Sequence, residues 1–171
     1  MNELMEPRIE TISPIQLVGK RMHMTLADNK TPDLWRAFMP YRQKVAHRVN
    51  EGMVYEVILY EGGFNPAAFH IHSLFEKWAA AEVHKVETLP DGMEHFLLPG
   101  GTYAVFQHKG PAHTFGQTAR FIYGVWLPRS NYRLDDRPHF NRLPEGYRPD
   151  DPEAEEEVWI PVRAGNSLQN G

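Results

Sequence analysis

One order of elements occurs twice in this chain of 171 residues, and few folds can accommodate it. Residues 14–26, "PIQLVGKRMHMTL", alternate loosely and predict a long strand. Leu17, Gly19, Arg21 and His23 would share one face, and Val18, Lys20, Met22 and Met24 the other. Thr31, Pro32 and Asp33 then supply a cap, a fixed φ and a first-turn acid, which together predict a helix start. Leu34, Phe38, Tyr41, Val45 and Val49 continue as an apolar stripe, which Pro40 should break or restart. Strands follow at 52–63 and 74–86. The order then begins again, with a strand at 101–110, a helix from Thr114 to Leu127 capped by Thr114 and stopped by Pro128, and strands over "PHFNRL" and "EEVWIPVR".

The economical architecture is α+β. Two pseudo-symmetric βαββ units, about 14–86 and 101–163, form a curved antiparallel sheet, and their two helices flank a ligand groove. Residues 1–163 are expected to be a single domain, with 164–171 as a flexible tail.

Composition removes several chemistries. Without cysteine there is no disulfide, thiolate nucleophile or cysteine-bound zinc. A net charge of −4 offers no basic footprint for nucleic acid. No apolar run approaches the ~20 residues of a membrane span, so a cytoplasmic protein is expected. "HIH" at 70–72 lacks a third ligand at metal spacing, so no metal or cofactor is expected. No serine lies in a nucleophile-elbow motif, and no catalytic residue is assigned. The acidic run 145–157 is expected to be a solvated connection.

Aromatic residues carry the stronger signal. Trp35, Phe38, Tyr123 and Trp126 lie on the two helices, where they would flank the groove and hold planar or cationic ligands. Trp78 and Tyr103 lie on strands. A cationic ligand needs a carboxylate, and Glu82 shares a strand face with Trp78.

The chain resembles the GyrI-like effector-binding domain, also found as the ligand-sensing half of AraC-type and MerR-type drug-responsive regulators. The resemblance runs through "EPRIETISPIQLVGKR", "LWRAFMP", "FEKWAAAEV", "LPGGTYAVFQHKG", "WLPRSNYRLDDRPHF" and "EEEVWIPV". It implies the same doubled fold and a pocket for amphipathic, often cationic, aromatic molecules. It also implies a glutamate on the pocket floor after the aromatic of the penultimate strand, where this chain has Asn141. Asn141 brings a donor and an acceptor but no charge, so Glu82 is expected to compensate or the ligand to be neutral.

The ligand-lining set expected from residues and resemblance together is Trp35, Phe38, Trp78, Glu82, Tyr103, Tyr123, Trp126 and Asn141. Direct DNA binding and membrane association are not expected, whereas a protein partner and a homodimer stay open. Two other readings stand beside ligand binding. One is a hydrolase using Glu82 or Tyr123 as acid or base, and the other a gyrase-inhibitor-like interaction module that presents the acidic run.

Overall fold

The computed structural model describes residues 6–49 and 52–165. Its strands are β1 (Arg8–Ile12), β2 (Ile15–Met24), β3 (Met53–Tyr60), β4 (Phe75–Val83), β5 (Glu94–Leu98), β6 (Gly101–Lys109), β7 (Tyr132–Leu134), β8 (His139–Pro144) and β9 (Glu155–Ala164). The helices are α1 (Thr31–Phe38), α2 (Phe115–Phe121) and the short α3 (Leu127–Arg129). A 3₁₀ stretch, Met39–Lys44, continues α1 past Pro40, and a π-turn, Ile122–Trp126, joins α2 to α3.

All strand pairs are antiparallel, in the order β1-β6-β9-β8-β3-β4-β2-β5, with β7 on the far end of β9. The sequence reading missed β1, β5 and β7. The first two form the sheet's outer strands, and β7 is only three residues long. The expected tail begins inside β9, which ends at Ala164, and residues 166–171 lie outside the described part.

The sheet must curl strongly. β1 and β2 stand six strand spacings apart in this order, about 29 Å if flat. Only Ser13 and Pro14 link them, and the step from Ile12 to Ile15 reaches about 10 Å at most. β5 and β6 repeat the problem through Pro99 and Gly100. Both are solved if the two ends of the sheet meet and the links pass side by side. Gly100 marks that crossing: a Cβ there would lie 2.5 Å from the Ile12 carbonyl oxygen and 2.9 Å from Pro14 N. Arg137 braces the seam by donating to the carbonyls of Thr102 (2.6 Å) and Val162 (3.1 Å), with its guanidinium 4.6 Å from the Tyr103 ring centre.

The curl gives two buried faces. The inner face packs Leu17, Tyr55, Trp78, Tyr103, Phe140 and Trp159 against one another without a helix. The outer face carries both helical segments. Leu34 and Phe38 of α1 pack on Val18, Met24, Ala79 and Ala81, and the small alanines let the helix come close. Ile122 and Trp126 pack on Ala104, Phe106, Val158 and Ile160. Each large apolar side chain so buried contributes about 2 kcal/mol.

Neither threonine expected to cap does so through its side chain. Thr31 is the first helical residue, and its hydroxyl accepts from Lys77 Nζ at 2.9 Å. The Thr114 hydroxyl donates to the Pro111 carbonyl. Among the described residues, no helix is long and apolar enough to cross a membrane.

Candidate functional site

Strand parity builds a polar floor on the outer face, between the two helical segments. β3 and β8 run antiparallel at the middle of the sheet with Glu56 opposite Asn141. Both side chains are buried, and Asn141 Nδ2 donates to Glu56 Oε2 at 3.3 Å. The other carboxylate oxygen, Oε1, accepts from Trp35 Nε1 of α1 at 2.9 Å. Lys77 Nζ on β4 stands 3.7 Å from Oε2. One carboxyl group is thus held by an indole, an amide and a lysine, which fixes its position.

A second carboxyl, Glu156 of β9, shares this floor and is only 7% exposed. Among the described residues no hydrogen bond or ion pair engages it. Burial, reinforced by the Glu56 charge and opposed by Lys77, pushes it up to about 8. Its cross-strand partner is His108 of β6, whose Nδ1 lies 2.7 Å from Thr118 Oγ1 of α2 and whose basicity is lowered by burial. Burial, with Glu156 and Glu56 behind it, raises the Tyr147 phenol above its ordinary value.

An aromatic wall continues from the floor. His139 of β8 lies 3.4 Å, through Nδ1, from the Tyr123 hydroxyl of the π-turn. The loop 61–74 sets Phe64 against Tyr60 (4.3 Å between ring centres), Tyr123 (5.0 Å) and His139 (5.2 Å). Phe69 meets Tyr60 edge-on at 5.4 Å. Burial, then the nearby Arg137 charge, lowers His139 to about 3, so it is a neutral ring at physiological pH. Trp35, Tyr60, Phe64 and Tyr123 are half-buried.

This arrangement revises the expected set. Trp35 and Asn141 meet at Glu56, and Tyr123 reaches His139, two residues from Asn141 on β8. Phe38 and Trp126 are one helical step away and point into the sheet, at 0% and 5% exposure. Trp78, Glu82 and Tyr103 lie on the inner face. Parity placed Glu82 beside Trp78 correctly, but α1 packs on the Ala79–Ala81–Val83 side of β4, so Glu82 faces away from the groove. The Tyr55 hydroxyl donates to Glu82 Oε1 at 2.6 Å. Glu82 borders a cavity of about 330 Å³ under the β1–β2 link, with Arg142 and Trp159.

Glu56, Glu156, Tyr60 and Phe64 were missed by sequence reasoning. Glu56 carried a signal, since it is the single acid inside the apolar tract "MVYEVILY". The acidic run is not one solvated connection, because from Glu155 onward it is strand, with Glu156 turned inward.

Comparison with known proteins agrees with this fold. The chain shares 24% identity over 159 residues with the transcriptional regulator BrlR of Pseudomonas aeruginosa, covering 92% of this chain and 56% of that protein. It therefore spans little more than half the length of that relative. The fold resembles the EcmrR C-terminal domain (TM-score 0.66, 17% identity, 93% of this chain and 98% of that one). It also resembles SAV2435 bound to tetraphenylphosphonium (TM-score 0.62, 13% identity, 97% of each chain). A profile of the GyrI-like small molecule binding domain matches residues 5–163, and the chain belongs to that family.

Proposed function

We propose that this domain binds amphipathic aromatic cations in the groove between α1 and the α2–π-turn segment. Two βαββ units, about 14–86 and 101–163, related by a pseudo-twofold axis near the β3–β8 pair, account for that groove. The strand order supports this, since β5-β2-β4-β3 from one edge matches β1-β6-β9-β8 from the other.

One observation carries the proposal: two buried carboxyls, Glu56 and Glu156, share a floor with a single lysine beneath an aromatic wall. Buried charge is costly unless paired, and a bound cation pairs it. The flat faces of Trp35, Tyr60, Phe64 and Tyr123 suit aromatic substituents and positive charge alike. The carboxylate expected at position 141 stands instead on the adjacent strand, where Asn141 orients it. SAV2435, with the same fold, binds a phosphonium cation with four phenyl groups.

Isothermal calorimetry with tetraphenylphosphonium and with neutral triphenylphosphine oxide tests the reading. Saturable binding of the cation, at least tenfold tighter than that of the neutral compound, is the expected result. Equal affinity for both, or binding of neither, would refute the cation assignment.

A further inference from the structure

We infer that Glu156 is the residue by which the groove tells an aromatic cation from a neutral isostere, and that it does so by giving up its proton when the cation enters. The inference rests on the groove being the ligand site. It adds which carboxyl reads the charge, and how.

Glu56 and Glu156 are not equivalent. Glu56 already holds an indole N–H, an amide N–H and the neighbouring Lys77 ammonium. Glu156 is as buried but engages no partner among the described residues. The titratable groups that face it are Glu56 from β3, Lys77 from β4, His108 from β6 and Tyr147 from the β8–β9 connection. Burial lowers His108 and raises Tyr147, so neither brings a positive charge at neutral pH, and Lys77 is the one basic side chain left in this set. Lys77 also lies closest to Glu56 and donates to Thr31. One lysine thus stands against two buried carboxyls and sits on Glu56, so Glu156 is the carboxyl left without a counter-charge, a site that favours its protonated form. The upward shift of that carboxyl, to about 8, agrees.

The exchange is balanced. The Glu156 O–H bond breaks, its electron pair stays on the carboxylate, and the proton passes to buffer while the ligand's charge takes its place. Nothing is oxidised or reduced. A neutral aromatic leaves the O–H bond intact.

Calorimetry of the whole chain with tetraphenylphosphonium, in buffers of different ionisation enthalpy, counts the protons released. Close to one per bound cation is expected at pH 7. Affinity should tighten by nearly tenfold per pH unit up to about pH 8 and then level. Triphenylphosphine oxide should release none. E156Q should bind the cation as the parent does at pH 6, with no change as pH rises. Binding of the cation without proton release overturns the inference and leaves the groove assignment standing. Release that persists in E156Q also overturns it, since the proton then comes from another group. No binding at any pH overturns the groove assignment, and the inference with it. The parent chain's proton count stands whether or not E156Q folds well.

Discussion

Replacing Glu156 by glutamine should stabilise the empty protein, and by an amount that grows with pH. The substitution keeps the shape of a protonated carboxyl but removes its titration. Glu156 is raised from 4.5 to about 8 on folding. A carboxyl so shifted lets the native state keep a proton that the unfolded chain releases, so its contribution falls as pH rises from 4.5 and levels above 8. At about 1.4 kcal/mol per unit, the difference between Glu156→Gln and parent is about 1 kcal/mol at pH 5, about 3 at pH 7 and about 5 at pH 9. His139 pulls the other way: its value is lowered to about 3, so its contribution is lost as pH falls from 6.5. Both chains carry His139, so subtraction removes it. Urea unfolding of both chains at the three pH values reads the difference directly. A difference that stays flat across that range would mean that Glu156 is ionised in the empty protein, with Lys77 as counter-ion, and the electrostatic account of the floor would be wrong.

Three further substitutions separate the groove from the rest of the fold. Glu56→Gln leaves one carbonyl oxygen for two donors, sets an NH2 against the other, and removes the carboxylate beside Lys77; it should weaken tetraphenylphosphonium binding by tenfold or more and cost about 1–3 kcal/mol of stability. Glu82→Gln alters the inner face only and should leave that affinity within twofold, while the loss of the charged acceptor for the Tyr55 hydroxyl lowers stability by about 1 kcal/mol. Gly100→Ala drives a methyl onto the backbone of the β1–β2 link, which must shift to admit it, and should cost about 1–3 kcal/mol in denaturant unfolding.

The two helices and the long strands beside them were legible because local punctuation marks their ends: Thr31-Pro32-Asp33 at the start of α1, Gly110-Pro111 ahead of α2. Asn141 is singled out by the family resemblance, and alternation adds only that it shares a strand face with His139 and Leu143. Alternation does not say which face a helix covers, and that is where Glu82 went astray. The curl hides the difference, because inner-face Tyr55 and Trp78 are as deeply buried as outer-face Ala79 and Val54. Glu56 depends on a pairing between residues 85 positions apart, Glu56 with Asn141, which no local pattern encodes. Glu156 sits among like charges that resemble a solvated run until the register of β9 turns it inward. The structure also changes what a glutamate at position 141 would do. Within hydrogen-bond reach of Glu56, it would hold a proton rather than add a full charge.

A crystal structure of the chain with tetraphenylphosphonium bears most directly on the groove. The account predicts the phosphonium over Glu56, Asn141 and Glu156, with phenyl rings against Trp35 and Tyr123. Density instead beneath the β1–β2 link, beside Tyr55, Glu82 and Trp159, would contradict it.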